Sequence, residues 1–214
     1  MKKYAIIVAG GSGARMQSKV PKQFLMVEDE PIVVRTIRKF YDAVPDIEII
    51  VVLPESHISR WEALGNEFDF ISNTTVTSGG DTRTASVLAG LKLTADEGLV
   101  AIHDAVRPYV SPETIVASFT SAGQHGSGVA AVALKDSIRE LNPGKRSKAL
   151  NRNNYVLVQT PQTFDVARLK AAYAKIGTAS FTDDASVYEH AGEEVHLIEG
   201  SYSNIKITTP EDLN

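Results

Sequence analysis

Apolar positions along this chain switch between short unbroken runs and runs spaced at a helical period. Ala5 to Val8, Ile47 to Leu53, Leu99 to Ile102 and Gly128 to Leu134 are continuous apolar stretches of strand length. Such runs are typical of strands in a parallel sheet covered on both faces. Thr74 to Thr77 predicts a further short strand. Between these runs, Ile32, Val33, Thr36, Ile37 and Phe40 recur at helical spacing and predict a helix over 32–40. Arg83 to Lys92 predicts another, opening after Gly79-Gly80-Asp81. Pro112 to Ala122 predicts a third, with Ser111 as N-cap and Pro112 at the first helical position. Alternation of this kind favours a doubly wound α/β fold, with strands buried between helical layers.

The pattern breaks after Leu134. Lys135 to Gln159 is polar, with Pro143-Gly144 near its middle, and reads as two extended segments around a turn. It is either a surface hairpin or an arm that reaches a second subunit, since such a segment buries little by itself. Helices return at Asp165 to Ala174 and Asp183 to His190, with Thr182 as the cap of the second, and strands at Val195 to Ile198 and Asn204 to Ile207. A final helix is expected to begin at Thr208-Thr209-Pro210-Glu211 and to be cut off at Asn214. The whole of 1–214 reads as a single domain carrying an arm at about 135–159.

Composition narrows the function classes. A net charge of −4 argues against a general nucleic-acid surface. With no cysteine, disulfides and thiolate metal sites are excluded. His57, His103, His125, His190 and His196 show no zinc-ligand spacing and read as surface or packing residues. No apolar run approaches the ~20 residues that span a bilayer. No membrane partner is therefore expected, and a cytoplasmic location is the default.

The densest chemical signal is at the start. Ala9-Gly10-Gly11-Ser12-Gly13-Ala14-Arg15-Met16 follows the first strand, and Pro21-Lys22-Gln23-Phe24-Leu25 comes soon after. Glycines let backbone N–H groups approach an anion closely, and successive N–H groups form a nest for it. Arginine and lysine then add forked and mobile positive charge. The bland alternative is a glycine turn between strand and helix. The phosphate loop of NTPases does not fit, because Gly13 is followed by Ala14-Arg15 and not by Lys-Ser/Thr. Dinucleotide binding fits no better, since Met16 stands where a third glycine belongs and the acid after the next strand comes too late.

Other constellations are less specific alone. In Ser78-Gly79-Gly80-Asp81-Thr82-Arg83-Thr84-Ala85-Ser86, Asp81 reads first as an N-cap. Asp104 ends a buried strand, where ligands of α/β sheets collect, and suits Mg²⁺ beside a triphosphate. An Asp104–Arg107 ion pair closing the loop is the alternative, and the two are compatible. Lys206 sits in an apolar stretch, where its ammonium must snorkel or meet an anion.

The glycine loop with Pro-Lys-Gln resembles nucleotidyltransferases that make activated sugars and polyols. His103-Asp104-Ala105-Val106-Arg107-Pro108, Lys135-Asp136-Ser137, Asn151-Arg152-Asn153, Gln159-Thr160-Pro161-Gln162, Thr182-Asp183-Asp184-Ala185-Ser186 and Asn204-Ile205-Lys206-Ile207-Thr208 come after it in order. Together, from Ile6 to Leu213, they resemble the 2-C-methyl-D-erythritol 4-phosphate cytidylyltransferase family of the non-mevalonate isoprenoid pathway. Ser137 departs from the threonine of many relatives but keeps the hydroxyl.

The resemblance implies a Rossmann-like, mostly parallel sheet with a protruding β-arm, a homodimer through that arm, and Mg²⁺ held by Asp104. It implies CTP contacts from Ala9, Gly10, Gly11, Ser12, Gly13, Arg15, Lys22, Gly80, Asp81, Arg83, Ser86, Asp104 and Ala105. It implies acceptor contacts from Arg107, Ser137, Arg152, Thr160 and Lys206, with Arg15, Lys22, Arg152 and Lys206 carrying the catalysis. The implied substrates are CTP and 2-C-methyl-D-erythritol 4-phosphate. Two rivals remain at this level. Ribitol-5-phosphate cytidylyltransferases share Pro-Lys-Gln-Phe-Leu and Gln-Thr-Pro-Gln but differ around Gly80 to Arg83 and Asp183 to Ser186. A non-catalytic nucleotide-binding module would keep the fold without the reaction.

Overall fold

The computed structural model describes residues 1–10 and 20–213. Its first half runs β1 (Lys3–Val8), β2 (Met26–Val27), β3 (Glu30–Pro31), α1 (Ile32–Ala43), β4 (Glu48–Leu53), α2 (Ile58–Leu64), β5 (Thr75–Ser78), α3 (Arg83–Leu91) and β6 (Leu99–Asp104). The second half runs α4 (Pro112–His125), β7 (Ser127–Ala133), β8 (Ile138–Leu141), β9 (Ser147–Leu150), β10 (Val156–Asp165), α5 (Val166–Ala174), α6 (Asp184–His190) and β11 (Leu197–Glu199). Seven strands form one sheet in the order β11-β7-β10-β6-β1-β4-β5. It is parallel except for β10, which runs antiparallel to both β6 and β7.

The strand period of two sorts the core into two layers. Ala5 and Ile7 of β1 face one way, packing with Val33, Ile37 and Phe40 of α1, Trp61 of α2 and Phe119 of α4. Tyr4 and Ile6 face the other way, with Val87 and Leu91 of α3, Leu169 and Tyr173 of α5 and Tyr188 of α6. Both faces of β1 are therefore dry, which is why its run is continuously apolar. Chain order reverses beside β1: β4 lies on one side of it and β6 on the other, with Val8 level with Asp104. That reversal opens a crevice at the carboxyl ends of the two strands, the usual ligand position in such sheets.

Several local expectations change. Asn204 to Ile207 is not a strand. Its backbone is taken up elsewhere: the Asn204 carbonyl accepts from Arg107 at 2.7 Å, and the Ile207 N–H donates to the Val106 carbonyl at 2.9 Å. The final turn, Pro210–Leu213, is a 3-10 turn. Asp81 and Thr182 do not cap their helices. Thr82 accepts from the Ala85 N–H at the start of α3, and Asp183 accepts from the Ser186 N–H at the start of α6. In each case the neighbouring residue has the extended backbone an N-cap needs. Ser111 caps α4 as expected, accepting from the Thr114 N–H.

The arm is shorter than its polar composition suggests. Among the described residues, β8 and β9 pair only with each other, from Ile138–Leu150 to Leu141–Ser147. Val156 to Val158 instead pairs with β7 in the main sheet, so the 135–159 stretch divides between hairpin and sheet. Among the described residues, no helix is long and apolar enough to cross a membrane.

Two buried positions make the packing testable. A Cβ on Gly128 of β7 would press directly on the Ser118 carbonyl oxygen of α4 and stand 2.9 Å from the Ser121 Cβ. Gly128→Ala must push helix from strand, and an overpacking cost of about 1–3 kcal/mol is expected, read as a lower Tm. His103 of β6 is fully buried, its ring 4.9 Å from that of Phe40. Burial pushes its imidazole down to about 3 from the usual 6.5, so the folded chain keeps it neutral. Between those values the unfolded chain takes a proton that the folded chain refuses, and stability is lost as pH falls, by about 1.4 kcal/mol per unit. His103→Gln should remove that component of the slope, seen in urea denaturation from about pH 6.5 to about 4.5.

Candidate active site

The crevice beside β1 holds a cleft of about 210 Å³. One wall is the end of β1 and its continuation, Val8 to Gly10, with Lys22 and Gln23. Another is Gly80 to Arg83 and Ser86, at the start of α3. Asp104 and Val106 form the floor after β6, and Lys206 closes the remaining side. Four stretches far apart in sequence therefore meet here because three strands or helices end at one place. Gly11, Ser12, Gly13 and Arg15 lie outside the described residues.

Asp104 is the electrostatic centre. Its Oδ2 accepts from Lys206 Nζ at 2.9 Å and lies 3.4 Å from Arg107 Nε, while its Oδ1 is 4.0 Å from Arg83 Nε. Burial pulls this carboxyl upward, but Lys206, then Arg83 and Arg107, outweigh it and hold the group at about 2. The Asp104 N–H donates to the Thr160 hydroxyl at 3.1 Å. Of the two expectations for Lys206, snorkelling or meeting an anion, the structure shows the second, with its ammonium on Asp104 although the residue is exposed.

Arg107 is turned inward. It lies against Asp104 and donates to the Asn204 carbonyl, and burial lowers its pKa despite Asp104. Asn204 in turn donates to the Thr160 carbonyl at 2.8 Å, with its own backbone held by Arg107. This knot fixes the loop that carries Lys206 against the floor that carries Asp104.

Across the cleft, Ser86 donates to the Thr82 carbonyl at 2.9 Å and to the Gly80 carbonyl at 3.3 Å. Gly80 passes so close to α3 that a Cβ there would stand 2.6 Å from the Ala85 Cβ, so only glycine allows this turn. Ala9 lines the cleft, and its carbonyl accepts from Gln23 Nε2 at 3.0 Å. Gln23 is 1% exposed and ties the Lys22 turn back to the end of β1. Its place beside Lys22 in Pro-Lys-Gln was the available signal, but nothing local says that its amide points inward.

Some expected residues are elsewhere. Ala105 is buried beneath the floor, its N–H on the Val8 carbonyl and its carbonyl accepting from Thr36. Thr160 touches Asp104 from behind and does not line the cleft. Arg152 and Ser137 do not line it either. Arg152 is exposed in a 3-10 turn after β9, donating to the Lys135 carbonyl at the base of the arm.

These features agree with the comparisons with known proteins. The 2-C-methyl-D-erythritol 4-phosphate cytidylyltransferase family matches residues 4–214. The chain is 46% identical to the cytidylyltransferase of that name from Bacteroides thetaiotaomicron, covering 100% of this chain and 97% of that protein. It is 44% identical to the one from Phocaeicola vulgatus, with the same coverage. Its fold is similar to the solved Thermus thermophilus cytidylyltransferase, with a TM-score of 0.81 and 30% identity over 100% of this chain and 96% of that one. It is also similar to the Anaerococcus prevotii 4-diphosphocytidyl-2C-methyl-D-erythritol synthase, with a TM-score of 0.84 and 29% identity over 99% and 94% of the two chains. A run of site blocks in family order, a cleft at the sheet's reversal point and relatives matched end to end converge: the chain belongs to the 2-C-methyl-D-erythritol 4-phosphate cytidylyltransferase family.

Proposed function

We propose that this cleft binds CTP and that the chain transfers its CMP to 2-C-methyl-D-erythritol 4-phosphate. An acceptor phosphate oxygen attacks the α-phosphorus in line; the bond to the β-phosphate bridging oxygen breaks, and pyrophosphate leaves with the electron pair. No covalent intermediate on the protein is required, so catalysis is positioning and charge stabilisation. The observation that carries this reading is one carboxylate, Asp104, gathered with Lys206, Arg83 and Arg107 beside the exit of β1. Matched relatives of nearly full length carry the methylerythritol name, so neither the ribitol phosphate reading nor the binding module is favoured.

The roles divide by wall. Backbone N–H groups of Gly10 to Gly13, with Arg15 and Lys22, hold the triphosphate and stabilise charge at the α-phosphorus. Gly80, Asp81, Arg83 and Ser86, with Asp104, hold the nucleoside, and Ala105 supports them from beneath the floor. Lys206 orients the acceptor phosphate, while Arg107 and Thr160 act from behind by fixing the Lys206 loop and Asp104.

The residues suit Mg²⁺ carried in with the nucleotide. Mg²⁺ is usually held by one or two carboxylates plus substrate phosphates. Asp104 and Asp81 are the carboxylates lining the cleft, and no group of three or more potential ligands occurs among the described residues. Asp104 would hold the ion, which would offset negative charge on the triphosphate.

Arg152 and Ser137 would reach an acceptor from a second copy of the chain. Leu141, at the arm's tip, is 81% exposed, and Tyr155, Val156, Leu157 and Val158 at its base are exposed too. An apolar surface of that kind marks an interface. In this homodimer each arm completes the partner's cleft.

Pyrophosphate release with CTP and Mg²⁺ tests the reaction, comparing methylerythritol 4-phosphate with ribitol 5-phosphate. Strong preference for the first is expected; no release with either acceptor would return the chain to a binding module. Lys22→Ala should lower kcat by about 10²–10³ as loss of one transition-state donor. For the arm, Arg152→Ala should raise the acceptor KM far more than the CTP KM. Mixing Arg152→Ala with Lys22→Ala should restore part of the activity, because one mixed site keeps both residues. No recovery would place Arg152 in its own chain's cleft.

A further inference from the structure

Behind the cleft wall lies a second carboxylate. Asp184, at the start of α6, is wholly buried, and each of its oxygens has a partner. Oδ2 accepts from Arg83 Nη2 at 2.6 Å and Oδ1 accepts from the Tyr173 hydroxyl at 2.5 Å. Its N–H donates to Gln162 Oε1 at 3.0 Å, and Gln162 Nε2 reaches Asp183. One guanidinium, on α3, therefore spans a sealed carboxylate and the cleft carboxylate Asp104, 4.0 Å from its Nε. Neither Asp184 nor Tyr173 lines the cleft.

We infer that Asp184 and Tyr173 are positioning residues that fix Arg83 for nucleotide binding, an inference that rests on the cytidylyltransferase reading of the cleft. The guanidinium fork is planar and rigid, so fastening one edge sets the direction of the other. The fastening is strong because the carboxylate is dry and charge-assisted hydrogen bonds strengthen there. Tyr173 completes it: burial and the neighbouring Asp184 raise its phenol, which keeps the hydroxyl a donor. Without Asp184, Arg83 has one carboxylate left, Asp104. It would close on that group, compete with Lys206 and draw Asp104 away from a ligand.

The sign of the effect separates position from charge. Removing a buried anion makes the cleft more positive, which by Coulomb attraction alone would tighten a triphosphate. Loss of position weakens it. For Asp184→Asn we expect the KM for CTP and the calorimetric Kd to rise about tenfold, with a smaller change in kcat. Tyr173→Phe keeps every charge and loses one hydrogen bond, and should raise both about threefold. In an Arg83→Ala background, Asp184→Asn should add nothing further, because both changes act through one side chain. A purely structural role would lower Tm in every background and leave CTP affinity alone.

Unchanged or tighter CTP binding by either folded variant would overturn the inference, as would additive effects in the Arg83→Ala background. If Asp184→Asn does not fold, Tyr173→Phe decides. Wild-type protein that binds CTP but releases no pyrophosphate would refute the reaction and leave the titrations as the test of positioning.

Discussion

The site depends on keeping one buried carboxylate ionised. Asp104 sits at the end of a strand whose faces are both dry, where a lone charge would be costly. Lys206, Arg107 and Arg83 reverse that cost, and each arrives from a different part of the chain. The arrangement works only if three backbones are brought to one point with little play. The sheet supplies this, since β1 and β6 are neighbours in register up to Val8 and Asp104.

Around that point, polar side chains serve as fasteners. Gln23 holds the Ala9 carbonyl, Thr160 backs Asp104, Asn204 bridges the Thr160 carbonyl and the Arg107 guanidinium, and Gln162 receives the first N–H groups of α6. All are nearly or wholly buried. Loop backbone cannot be hidden from water unless its N–H and C=O groups find partners. Buried amides meet that need here and also hold the charged residues at fixed distances.

The arm obeys a different logic. A two-stranded hairpin that pairs only with itself has no core of its own, and its tip and base leave apolar side chains in water. Its residues have no core to fix them, whereas those of the cleft are held by their own chain. Putting acceptor recognition on the arm would couple activity to assembly.

The sequence by itself determined what depends on periods and nearest neighbours. Unbroken apolar runs such as Ile47 to Leu53 identified strands covered on both faces, Ser111-Pro112 identified a helix start, and ordered blocks around Gly10, Lys22, Asp104 and Lys206 identified the chemistry. These signals are local because hydrophobic period and family motifs are written in consecutive residues. Where neighbours compete, as Asp81 does with Thr82 and Thr182 with Asp183, only the folded structure shows which side chain caps the helix. Tertiary structure alone turned Arg107 inward, left Asn204 to Ile207 irregular and joined Arg83 to Asp184 across 101 residues. In each of these the partner is distant in sequence, so the outcome is set by which polar groups remain unsatisfied once the two apolar layers close on the sheet.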